Sequence, residues 1–161
     1  MINHLIDIIG REARLFESFL NLLEQQKRAL VANDLKELNR ITLLQQEAMG
    51  TSHRLNLERV RTVAEIKAER NFEQDLTISR LIALADSEQA ARLKELRELL
   101  LSLNDKILEV RNTNALLINQ SREMIARTMA MLSRSEHADN VYGRDASRDE
   151  RAVAVALDRR V

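Results

Sequence analysis

Proline is absent from all 161 residues, and apolar residues recur at steps of three and four over most of the chain. Proline is the residue that most reliably breaks a helix interior, so without it helices are free to run long. The clearest stripe is Leu93, Leu96, Leu100, Leu103, Ile107, Val110, Asn114, Leu117, Ser121, Met124, Thr128 and Met131. That spacing keeps one face of a helix on one side over many turns. Only Gly10, Gly50 and Gly143 are available for tight turns. The expected fold class is all-α: an elongated antiparallel bundle of long helices with a polar, partly mobile C-terminal tail.

Composition narrows the function classes. The length fits one domain. Lys plus Arg and Asp plus Glu number 25 each, so no net field draws in nucleic acid or anionic lipid. The basic positions Arg59, Arg61, Lys67 and Arg70 are interleaved with Glu58, Glu65 and Glu69, and no aromatic lies among them for base stacking. The chain has no cysteine, which suits the cytosol and excludes thiol chemistry. Asp7, Arg11 and Glu12 interrupt the Ile-rich start, so no signal peptide is expected. No apolar run approaches the roughly 20 residues of a membrane span.

The first helix is expected from about Ile2 to Val31. Ile2, Ile6, Ile9, Ala13, Phe16, Leu20, Leu23 and Leu30 form one stripe, and Leu5, Leu15, Phe19 and Leu22 widen it. A face that wide suits a bundle core. Asn33-Asp34 reads as a break, with Asp34 capping the second helix and Glu37 placed as in a capping box. The second helix, to about Arg70, has a poorer stripe: Leu38, Ile41, Ala48, Leu55, Thr62 and Ile66 share it with Gln45, Ser52 and Arg59. Gly50 weakens its middle. Arg54 with Glu58 and Arg61 with Glu65 are spaced as i,i+4 pairs.

A cap at Asn71 with Gln74 predicts a short helix to Ala85. Asp86-Ser87, with Gln89 following, predicts the start of the last long helix, which is expected to end near Arg134. From Ser135 to Ala146 the sequence is polar. Ser147-Arg148-Asp149-Glu150 then predicts a short amphipathic helix carrying Val153, Leu157 and Val161. The division expected is a bundle over residues 1–135 and a tail over 136–161.

Enzyme signatures are missing. His4, His53 and His137 are scattered, with neither metal-ligand spacing nor a phosphate loop nearby. No catalytic residue, metal or cofactor is expected. What stands out is surplus apolar surface on the last helix, where Leu101, Leu108, Ala115, Ile118, Ile125 and Leu132 make a second stripe. In the first half of that helix both stripes are expected to be core, each facing a different helix. Toward its end the main stripe turns polar at Asn114, Ser121 and Thr128, and polar seam residues weaken packing or set its register. An end of that kind could admit a foreign amphipathic helix, aided by adaptable Met124, Met129 and Met131, although the methionines fit core filling as well. Ile118, Ile125 and Leu132, with Val153 and Leu157 of the tail, are therefore the expected substrate-binding surface.

The segment Asn114-Ala115-Leu116-Leu117-Ile118-Asn119-Gln120-Ser121, a methionine-rich helix end, a polar gap and Tyr142-Gly143 together resemble the C-terminal half of FlgN-type flagellar export chaperones. Leu22-Leu23-Glu24, Ala29-Leu30-Val31 and the break at Asp34 before Leu38 and Ile41 are similar to the N-terminal half. Here Gly143 follows Tyr142 directly, a tighter spacing than the family pattern. The resemblance implies a cytoplasmic chaperone for the hook-associated junction proteins FlgK and FlgL, binding their C-terminal segments and delivering them to the type III export gate, whose docking component is FlhA. By the same resemblance Tyr142 is assigned to export-gate docking, with folding back onto the bundle end as the alternative. The competing reading of the whole chain is a homodimeric coiled-coil scaffold or spacer.

Overall fold

A computed structural model of the chain describes the backbone of residues 1–70 and 76–157 and the side chains of residues 1–70 and 76–134. The described residues form four helices and no strand: α1 (Ile2–Ala32), α2 (Leu35–Glu69), α3 (Ile78–Leu84) and α4 (Ser87–Leu157). The chain divides into two units, Met1–Leu117 and Ile118–Val161.

The break between α1 and α2 needs only two residues, each with its own task. Asn33 adopts the left-handed conformation (φ 53°), which asparagine tolerates better than most residues. Its N–H reaches Leu30 O at 3.2 Å, and Asp34 N–H reaches Ala29 O at 2.9 Å, the paired bonds of a Schellman ending. Asp34 then caps α2 by accepting from Glu37 N at 3.0 Å. The expected capping box is only half made. Asp34 N is already engaged, and the Glu37 carboxylate turns to Arg40 instead, with bonds of 2.6 and 2.8 Å. At the start of α4 the box is reciprocal: Gln89 N donates to Asp86 at 2.8 Å and Asp86 N to the Gln89 side chain at 3.4 Å. The cap expected at Asn71 and Gln74 lies outside the described residues, and α3 opens at Thr77, whose hydroxyl accepts from Arg80 N.

Helix directions follow from pairs of contacts. Arg11 meets Glu58 at 3.1 Å, Glu12 meets Arg59 at 3.0 Å, and Gln26 meets Gln45 at 3.4 Å. From the first two pairs to the third the number rises on α1 and falls on α2, so the two are antiparallel. Gln89 donates to Asn3 at 2.8 Å, and Asn114 donates to Leu23 O and to the Gln26 side chain, each at 2.9 Å. Both numbers now rise together. This part of α4 therefore runs parallel to α1 and antiparallel to α2, an up-down-up order.

α1 is the central helix. Leu5, Ile9 and Ala13 pack with Ile66 of α2, Leu81 of α3 and Leu93 and Leu96 of α4 in one cluster, and Leu22 and Ala29 pack with Ile41 in a second. Both expected stripes of α1 enter the core. So does Ile8, which neither stripe contains and which has no exposed surface. Each fully buried aliphatic side chain contributes about 1.5–3 kcal/mol. Two polar members of the α2 stripe are explained by partners: Gln45 by Gln26 and Arg59 by Glu12. Gly50 does not interrupt α2. Of the two expected i,i+4 pairs, Arg61–Glu65 forms at 3.3 Å. Arg54 instead donates to Thr51, because Glu58 is taken by Arg11 from across the helix interface.

α4 does not end near Arg134. Its backbone stays helical to Leu157, so Ser147–Glu150 lies inside a helix and starts none. Polarity alone does not stop a helix. Gly143 costs about 1 kcal/mol against alanine, and no proline is present to do more.

Candidate functional site

The main stripe of α4 is buried where α1 faces it. Leu93, Leu96 and Leu103 are core residues, and Leu100, Ile107, Val110 and Leu117 are half-buried. Asn114 is the exception by chemistry and is nonetheless 2% exposed. Its amide donates to a main-chain carbonyl of α1 and to Gln26, which in turn meets Gln45 of α2. One polar layer thus joins all three long helices. The Asn114 Oδ1 is buried without a hydrogen-bond partner among the described residues.

The second stripe corrects an expectation. Leu101 and Leu108 are 55% and 46% exposed, and Ala115 is exposed too. They do not face a second partner helix, because α4 lays a single stripe on α1.

From Ile118 to Arg134 the helix is open. Ile118, Met124, Ile125, Met129, Met131 and Leu132 are 39–71% exposed. At 100° per residue they fall within a sector of about 160°. Glu123 and Arg127 lie on the other side, paired with each other at 3.4 Å. Thr128 satisfies its hydroxyl on Met124 O. The segment is therefore an amphipathic helix whose apolar side faces solvent. The methionines are not core filling. Such a side favours association with a complementary apolar helix.

The expected site residues are thus distributed along one helix. Ile118, Ile125 and Leu132 share the open sector. Tyr142, Val153 and Leu157 lie on the continuing α4 backbone, with side chains outside the described residues. His4 lies 3.7 Å from Glu58 at the surface, and His53 is exposed. No helix among the described residues is long and apolar enough to cross a membrane.

A family model described as FlgN protein matches residues 1–150. The chain belongs to the FlgN family. FlgN proteins are chaperones of flagellar export rather than enzymes, and that general role extends to this chain. The match covers α1 through most of α4, including the open sector and Tyr142. No curated protein and no solved structure matches the chain. The apolar residues that periodicity alone assigned wrongly, Leu101 and Leu108, lie on an α4 face whose fate depends on how many helices surround it.

Proposed function

We propose that this FlgN-family protein is a cytoplasmic chaperone that binds the C-terminal segments of the hook-associated proteins FlgK and FlgL and delivers them to the flagellar type III export gate. The observation that carries this reading is the open apolar side of α4 from Ile118 to Leu132. A monomer in water leaves such a surface bare only at a cost, and a client helix would cover it. A segment that orders on binding gives up several kcal/mol of contact energy, which keeps the complex releasable at the gate. Val153 and Leu157, further along the α4 backbone, are assigned to the same client.

Calorimetry with a FlgK C-terminal peptide tests the reading. Ile125→Ser should weaken binding, and an unchanged affinity in Ile125→Ser and Leu132→Ser together would refute it. Deleting the residues after Gly143 should weaken binding by about 1–3 kcal/mol if Val153 and Leu157 clamp the client. Tighter binding would make them a displaceable cover. Tyr142 is assigned to docking on FlhA: Tyr142→Ala should reduce binding to the FlhA cytosolic domain with little change in Tm, and a large fall in Tm would assign it to packing instead. The exposed heptad spacing of Leu101 and Leu108 also supports a second reading, a homodimeric scaffold. Light scattering of the free protein separates the two, since a scaffold would be a dimer at every practical concentration.

A further inference from the structure

The side of α2 turned away from α1 carries a stripe of its own. Leu43, Gly50, Leu57 and Ala64 recur every seven residues. Asn39, Gln46, His53 and Val60 fall between them, so the steps alternate between four and three. All eight are exposed, whereas the buried residues of α2, Ile41, Leu55, Thr62 and Ile66, lie on the opposite side of the helix. None of the eight is Asp, Glu, Lys or Arg, in a chain of which 31% is charged. Leu43, Leu57 and Val60 are 61%, 56% and 56% exposed. At 1.5 Å per residue the stripe runs for about 38 Å. A charge-free stripe with heptad spacing is the pattern of a helix that pairs with another helix, and among the described residues no helix covers it.

The stripe is its own complement. Turned end for end about a point between Thr51 and Ser52, it meets itself in register. Leu43 then faces a second copy's Val60, Gln46 its Leu57, Gly50 its His53 and Asn39 its Ala64, and the two-fold axis repeats each layer. The central layer sets the smallest residue against the only ring. Glycine weakens a helix interior, and nothing within the chain requires one here. Beyond its own turn of helix, no atom lies within 4 Å of the place a Cβ would take. An imidazole from across the axis fits that space. A parallel pairing would lay Gly50 on Gly50 and leave a void, which packed seams avoid.

The flanking charges select the same pairing. In an antiparallel coiled coil the residues that follow Asn39, Gln46, His53 and Val60 face one another across the seam. They are Arg40, Glu47, Arg54 and Arg61. Arg40 and Arg61 are already matched inside the chain, by Glu37 at 2.6 Å and by Glu65 at 3.3 Å. Among the described residues Glu47 and Arg54 have no opposite charge beside them, and Arg54 donates to the neutral Thr51 hydroxyl at 3.0 Å. Antiparallel packing brings these two together, Glu47 to a second copy's Arg54 and the reverse. Parallel packing would set them against Thr42 and Met49, which carry no charge.

We propose that α2 docks on α2 of a second copy of this chain, in an antiparallel two-fold coiled coil centred between Thr51 and Ser52. A client helix has no reason to carry an arginine and a glutamate at these two spacings, whereas a second copy carries them by construction. Asn39, Gln46 and His53 weaken the seam, so the pair exchanges with the monomer. The contact is independent of the chaperone reading. It also differs from a permanent scaffold built on Leu101 and Leu108 of α4.

Sedimentation velocity of the full chain over a range of concentrations reads the exchange. The native chain should pass from monomer to dimer, and a monomer throughout would overturn the proposal. Glu47→Lys and Arg54→Glu are both at exposed positions, so circular dichroism should show each variant folded. Each turns two attractive pairs into two repulsive ones and should weaken dimerisation about tenfold or more. Mixed in equal amounts, the two variants should dimerise again, because each supplies the sign that the other needs at both places. A mixture that stays as weak as its components would overturn the antiparallel pairing. Leu57→Glu, within the seam, should abolish the dimer. A dimer that survives Leu57→Glu and is lost in Leu101→Ser with Leu108→Ser would place the contact on α4 and overturn the assignment to α2.

Discussion

Leu93 to Asn114 and Met124 to Met131 belong to one stripe of α4 with one spacing, yet the first stretch is buried and the second is exposed. The difference lies in α1. Asn114 bonds Gln26, and α1 ends only six residues later, at Ala32. Periodicity records which face of a helix is apolar. Whether that face is covered depends on the lengths of other helices, which no local pattern contains.

The largest expected effect tests the polar layer that closes the buried stretch. Asn114→Asp would set a carboxylate against two acceptors, Leu23 O and the Gln26 oxygen, and should cost about 3–5 kcal/mol in urea unfolding near neutral pH. The loss should shrink as the pH falls and the acid becomes protonated. A pH-independent loss would mean that steric misfit, not charge, is responsible. Next, Leu103→Ala should cost about 2–5 kcal/mol, against less than about 0.5 kcal/mol for Met131→Ala. Equal costs would erase the distinction between the two stretches. Leu117→Ala, half-buried at the boundary, should fall between them, at about 1–2 kcal/mol. The smallest effect concerns Glu37. A hydrogen bond from Arg40, supported by its charge, holds this carboxyl below its ordinary pKa. Its contribution is therefore present above the unfolded value and lost as the pH falls through the folded one. Glu37→Gln should flatten the acid limb of the stability curve slightly, and an unchanged limb would show that this exposed pair contributes nothing.

The helix boundaries that were legible in the sequence are those with side-chain mechanisms. Asn33-Asp34 announces a break and a cap, and Asp86 with Gln89 announces a capping box; each lies where it was read. The end expected near Arg134 had no such mechanism, only a fall in hydrophobicity, and the helix passes through it. Ser147 resembles a cap by composition, but a cap works only where the chain enters from a non-helical conformation. The open sector at Ile118, Ile125 and Leu132 was legible as an apolar excess. The exposure of Leu101 and Leu108 was not, because a bundle of three long helices and a bundle of four write the same heptads into α4. The Asn114 layer could be suspected from a polar residue in the stripe, while its partners Gln26 and Gln45 lie too far away in sequence to be inferred.

The parallel course of α1 and α4 has a consequence for the order of folding. The hydrogen bonds within the α1–α2 hairpin join residues 15 to 47 apart, whereas those between α4 and α1 span 86 to 91. Loop-closure entropy favours the shorter contacts, and rates follow sequence separation. The hairpin has its own partners before any residue of α4 has left the ribosome, so the helix that bears the open apolar side is made after the hairpin and docks onto it already formed.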